Sequence, residues 1–323
     1  FPSDYEMIKT NGVYDECIKR GLTFTVGHHE SAQLWLPPHG NQYFSENYYA
    51  THPEYYKLVG GVRYCPDSIW EGEHVFCFRN KASQQQIAAN MHTWLSQNPY
   101  VATICLWPQD SVASTDMCQC TSCASYTKMQ NYMNLVNSVA SILKTTDPKV
   151  TIDMLVYYNT YQRPSGYSLE SNVLADQANW FSDSGIRHAG KNDGTSWIGS
   201  VYEANAIDWS GAGGAGVVFY DYYADCYTDG KLGTFGIADE LKSVYQSYID
   251  KPGHNKYSNG LGTQFEVFNI WNVPFNYYAH ARTCYDTSLT VSQLEDKFCK
   301  IFGAGGPYIK QYLQYSESFN EGQ

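Results

Sequence analysis

Two hydrophobic periods alternate along the 323-residue chain. Tyr5–Arg20 repeats apolar residues at helical spacing, with Gly21 placed to stop it. Leu22–Val26 follows as a short β-rich run ending at Gly27. A stretch to about residue 80, rich in Pro, Gly, Asn and Tyr, then reads as one long irregular insertion. Beyond it, helical spacing returns at Ala82–Asn98, Ser125–Thr145, Ile237–Ile249 and Val291–Phe302. Between these lie apolar runs of strand length: Val101–Trp107, Val150–Tyr158, Asn172–Ala178, Ala215–Tyr220 and Gly260–Phe268.

Strands alternating with helices imply a mainly parallel sheet with helices packed outside. The expected fold is therefore α/β, a TIM-like (β/α) barrel. About six strands are readable where a closed barrel needs eight. The expectation is one domain over residues 1–323, with the insertion at about 27–80 and the barrel's first strand lying before Phe1.

In such a barrel, chemistry sits where strands end. Gly27 is followed by His28-His29-Glu30, whose His-Glu pair offers a base with its orienting carboxylate, or part of a metal site. No His-Glu-x-x-His spacing follows, which excludes a zinc-protease helix. Trp107-Pro108-Gln109-Asp110 places a carboxylate just past a buried aromatic strand end, the setting that raises a general acid's pKa. Tyr157-Tyr158-Asn159 presents phenols and an amide after the next strand. Asp221, followed by Tyr222, and Glu266 are carboxylates framed by aromatics, as in a sugar-cleaving pair. Arg63 is an arginine available to a substrate carboxylate.

Composition narrows the partners. The formal charge is −11, with 32 acidic against 21 basic residues, which disfavours nucleic acid and anionic membrane surfaces. No apolar run reaches the length of a membrane span. The 29 Tyr, 14 Phe and 8 Trp fit either a Tyr-rich core or a cleft of flat faces for stacking sugar rings. Ten cysteines fit disulfides in an oxidising compartment, so the chain is expected to be secreted or at the cell surface. It starts Phe1-Pro2-Ser3 without Met, as a processed or incomplete chain does, and lacks any Asn-x-Ser/Thr acceptor, which tilts its source towards bacteria. Asp116-x-Cys118-x-Cys120-x-x-Cys123 is the densest cysteine cluster. Metal binding is one reading of it, but no fourth ligand stands at a recognisable spacing, and disulfides to partners elsewhere are favoured. No metal and no cofactor are expected.

Several pieces, in this order, resemble a largely bacterial family of unassigned function grouped with the α-glucuronidase-like glycoside hydrolase barrels. They are Gly27-His28-His29, Tyr43-Phe44, His52-Pro53-Glu54-Tyr55-Tyr56, Gly60-Gly61-Val62-Arg63 and Asn98-Pro99. Asp110 with Cys118, Cys120 and Cys123, then Tyr157-Tyr158-Asn159-Thr160 and Tyr220-Asp221-Tyr222-Tyr223, continue the series. Phe298-Cys299-x-x-Phe302-Gly303 with Gly306-Pro307-Tyr308 is similar to that group's closing helices. The resemblance implies a TIM-like barrel acting on a glycan, without handing over a proven catalytic residue.

The expected function is a glycoside hydrolase on a polysaccharide or glycan, with uronate-containing ones included. Asp110 is the leading acid, with Glu266 or Asp221 as its partner. His28, His29, Glu30, Trp107, Tyr157, Tyr158, Asn159, Tyr222 and Arg63 bind substrate. Two alternatives stay open: a polysaccharide lyase using Tyr and His, and a non-catalytic glycan-binding or structural surface protein.

Overall fold

The alternation of periods is realised as a mixed α/β fold with parallel strands. The computed structural model describes residues 2–29, 31–65, 75–108, 117–157, 160–178, 197–223, 258–265 and 274–321. Two compact units result, one of residues 1–176 with 208–216, the other of residues 177–207 with 217–323.

In the first unit the expected opening helix is two helices, α1 (Pro2–Thr10) and α2 (Val13–Lys19). The break is local chemistry. Asn11 accepts the Val13 N–H through its side chain, and Gly12 takes a left-handed φ of 82°. Gly21 does end α2 as expected, with its N–H bonded to Ile18 O and that of Leu22 to Cys17 O. Strand β1 (Phe24–Val26) follows.

The described part of the segment expected to be irregular contains short elements: α3 (Ser31–Trp35), α4 (Tyr48–Thr51) and a 3-10 turn at Pro53–Tyr55. A two-residue hairpin then joins β2 (Leu58–Val59) to β3 (Val62–Arg63). Gly60 and Gly61 both have positive φ, the backbone a tight hairpin turn demands. Trp35 anchors this segment, fully buried between Phe44 and Trp94.

Regular alternation resumes with α5 (Lys81–Ser96), β4 (Val101–Cys105), α6 (Lys128–Thr146), β5 (Thr151–Val156) and β6 (Val173–Ala178). Helix α6 starts two to three residues later than its periodicity suggests, because Thr127 and Gln130 form a reciprocal capping box. Strand β4 runs parallel to β1 on one side and to β5 on the other, and β6 lies next to β5. Ile104, Ile152, Met154 and Val156 from the strands are buried, as are Met133, Val136, Val139 and Leu143 from α6.

Tyr132 ties this layer together. Its buried hydroxyl donates to Leu106 O at 2.9 Å and accepts the Leu155 N–H at 3.0 Å, linking α6 to the ends of β4 and β5. Tyr132→Phe leaves both backbone groups without that partner, and the expected cost is about 2 kcal/mol in urea denaturation. A loss below about 0.5 kcal/mol would mean the bridge is replaceable.

Helix α7 (Trp197–Ser210) leads to the second unit's parallel pair, β7 (Gly216–Tyr223) and β8 (Ser258–Phe265). The unit closes with α8 (Pro274–Tyr285), α9 (Val291–Cys299), a 3-10 turn at Lys300–Gly305 and α10 (Gly306–Glu321). Among its described residues, Phe275, Ala279, Leu294, Phe298 and Leu313 form a buried apolar cluster. The helix expected at Ile237–Ile249 lies outside the described residues. No described helix is long and apolar enough to cross a membrane.

Candidate functional site

The ends of β1, β4 and β5 converge, as three neighbouring parallel strands must. Gly27 makes the approach possible. It has φ of 134°, and a side chain there would meet Cys105 Cβ at 2.7 Å and Cys105 O at 2.8 Å. The next two residues are thereby carried over the end of β4.

There four rings gather. His28 and His29 stand edge to face with centroids 4.8 Å apart, and Trp107 lies 5.3 Å from the first and 5.5 Å from the second. Tyr157, one residue past β5, is 6.0 Å from His29. His29 Nδ1 lies 3.0 Å from Pro108 O. A carbonyl only accepts, so Nδ1 carries the proton of the neutral ring and Nε2 is its basic nitrogen. Both imidazoles are half-buried, whereas Trp107 is buried beneath them.

Trp107 leads to a group that the apolar pattern hides. Its indole Nε1 donates to Asp153 Oδ1 at 2.7 Å. Asp153 sits in the middle of β5 and is buried, as is Asp176 on β6. Burial drives the Asp153 carboxyl up from 3.8 to about 6, against the opposing effect of hydrogen bonds from Trp107 and Asp176. The signal available in the sequence was an acid inside each of two apolar runs, Thr151–Val156 and Val173–Ala178.

Of the other expected site residues, Arg63, Asp221 and Tyr222 are among the described ones. Arg63 belongs to the hairpin, where Nη1 donates to Tyr56 O at 2.7 Å and its own carbonyl accepts from the Tyr49 hydroxyl. Asp221 and Tyr222 lie within β7, paired with Thr263 and Gln264, because the strand runs on to Tyr223 instead of ending at Tyr220. Strand β8 is described over Ser258–Phe265. Glu30, Asp110, Tyr158, Asn159 and Glu266 lie outside the described residues.

A second cluster forms from Cys77, Cys118, Cys120 and Cys123, whose sulfurs all lie within 4.8 Å of one another. The ligand missing from the sequence spacing is Cys77, 43 residues before Cys120. A bridge between Tyr56 and Phe76 and the Cys77 N–H bond to Tyr55 O set its place. Hydrogen bonds among these thiols push Cys77 up to about 12 and hold Cys118, which accepts from Cys123 and Cys77, far below the usual thiol range. Among the described residues no two cysteines stand at disulfide distance.

Residues 13–314 match a domain of unknown function, DUF4838. The chain belongs to this family. No curated protein matches it. The matched span runs from the start of α2 into α10 and so takes in both the ring cluster and the four cysteines.

Proposed function

We propose that this DUF4838 chain is a secreted or cell-surface protein of the glycoside-hydrolase type, on a TIM-like barrel resembling the α-glucuronidase group, acting on a polysaccharide or glycan. The observation that carries the reading is the convergence of His28, His29, Trp107 and Tyr157 at the ends of three strands, above a buried carboxyl pair. Half-buried flat rings with a basic nitrogen suit the faces and hydroxyls of a sugar. In this reading His28, His29 and Tyr157 meet the substrate. Trp107, being buried, backs the imidazoles and fixes them over Asp153.

Asp110 is proposed as the general acid, with Glu266 or Asp221 as the second carboxylate. Glu30, Tyr158, Asn159 and Tyr222 are proposed as further sugar contacts, and Arg63 as a contact for a uronate carboxylate. The test is cleavage of uronate-containing and neutral polysaccharides, followed by Asp110→Asn, Asp221→Asn and Glu266→Gln. Loss of an essential carboxyl is expected to lower turnover by roughly 10²–10⁴-fold. Unchanged cleavage in all three variants would discard the assignment.

The closeness of Tyr157 to His29 also suits a β-eliminating lyase, in which phenol and imidazole move the proton and a cation or amide holds the uronate carboxyl. A product with the ultraviolet absorbance of a new carbon–carbon double bond would decide for that reaction. Binding without cleavage across the screen would decide for a non-catalytic glycan-binding protein.

A further inference from the structure

The four-cysteine cluster has a geometry that the glycan reading does not use. Cys77 Sγ lies 3.4 Å from Cys120 Sγ and 3.7 Å from Cys123 Sγ, with all four sulfurs inside 4.8 Å. A disulfide needs about 2.05 Å and uses sulfurs only in pairs. Four sulfurs at about 2.3 Å from a central ion form a tetrahedron with edges of about 3.8 Å. Separations of 3.4 and 3.7 Å are close to that edge, and no pair is wider than 4.8 Å, so the four sulfurs can close on one centre.

The backbone is arranged for thiolates. The Leu58 N–H donates to Cys118 Sγ at 3.2 Å, and the Cys120 N–H also donates to that sulfur. The Arg79 N–H donates to Cys123 Sγ. Such N–H donors favour S⁻ over SH and orient the ligand atoms, as the outer shell of a metal site does. The loop is wound to match. Both Cys123 and Ala124 return their N–H groups to Cys120 O, which turns Cys123 back towards the other sulfurs. Cys77, Cys118 and Cys123 are buried, with Leu58 packed against them.

We propose that Cys77, Cys118, Cys120 and Cys123 bind one zinc ion in a closed tetrathiolate centre. Soft sulfur ligands in a tetrahedral set select zinc or iron among the common metals, and zinc is the redox-inert member of that pair. Four protein ligands leave no coordination position for water or substrate, so the centre is structural. Its work is to fasten two distant segments. Gln119 N–H bonds Leu58 O and its side chain accepts the Gly60 N–H, while Cys77 sits beside the Tyr56–Phe76 bridge. Zinc in this centre joins the segment holding the hairpin to the loop that follows Asp110. The inference is independent of the glycan reading, and its test reads metal instead of activity.

The experiment uses the full chain, purified without chelator or a metal-binding tag and analysed by elemental mass spectrometry. One zinc per chain is expected. Titration with a thiol-directed mercurial should release that zinc in step with modification of these four cysteines, located by peptide mapping. This arm needs no variant to fold. Cys120→Ser, at the least buried ligand, should lower zinc occupancy at least tenfold, while Cys17→Ser should leave it unchanged. Exchange into cobalt should give the visible bands of a tetrahedral thiolate complex. Iron in place of zinc, disulfides among the four cysteines in the purified chain, or zinc release that tracks other cysteines would each overturn the proposal.

Discussion

Replacing Gly27 with alanine is expected to cost about 3 kcal/mol of folding stability and to disturb the ring cluster at the same time. Two effects add. The glycine's φ of 134° is a conformation that L side chains rarely adopt, and strain there costs on the order of 1–3 kcal/mol. The new methyl group would also stand 2.7 Å from Cys105 Cβ and 2.8 Å from its carbonyl oxygen. Backbone at that distance has no flexible end to swing away, so β1 and β4 must separate, and overpacking of this sort costs roughly 1–3 kcal/mol. Because His28 and His29 follow immediately, the separation shifts both imidazoles off Trp107. Urea denaturation gives the stability loss, and near-ultraviolet circular dichroism reports the packing around Trp107. A variant within about 0.5 kcal/mol of the parent would show that the strands do not depend on this close approach.

How much of this was legible follows from the range of each interaction. Helix α6 and the stop at Gly21 rest on residues within one turn of each other, and the chain declares them in order: Thr127 with Gln130, and Gly21 after Arg20. The break at Asn11-Gly12 was equally local, but an uninterrupted apolar spacing across it favoured one helix over two. The hairpin at Gly60-Gly61 was hidden for a different reason, since two residues on each side are too few to show a period. At the ring cluster, alternation of strands and helices was enough to bring His28, His29, Trp107 and Tyr157 together, because parallel neighbours place successive strand ends side by side. What sits beneath them was not visible, for hydropathy reads Thr151–Val156 as apolar and passes over Asp153. Cys77 is the clearest case of tertiary information. Its partners lie far along the chain, and only the pairing of Tyr56 with Phe76 delivers it to them.

The buried carboxyl pair predicts how stability changes with acidity. Asp153 titrates at 3.8 in an unfolded chain and at about 6 in the fold, so the native state keeps a proton that the unfolded state has released. Below the lower value both states are protonated and burial of the neutral acid carries no electrostatic penalty. As pH rises between the two values, folding must take up a proton that becomes scarcer, and stability falls. Above about 6 the carboxylate is charged in both states and the penalty reaches its plateau. A shift of two units at ~1.4 kcal/mol each gives a plateau of about 3 kcal/mol. Asp153→Asn keeps an oxygen to accept from Trp107 Nε1 while removing the charge. The difference in stability between Asp153→Asn and the parent chain should therefore move in favour of the variant by about 3 kcal/mol between pH 3 and pH 7. Most of that change should fall between pH 4 and pH 6. Taking the difference cancels the carboxylates that both chains share, leaving Asp153 and its effect on Asp176. A difference that stays flat across this window would show that Asp153 is already ionised at acidic pH, and that its burial in β5 does not raise it.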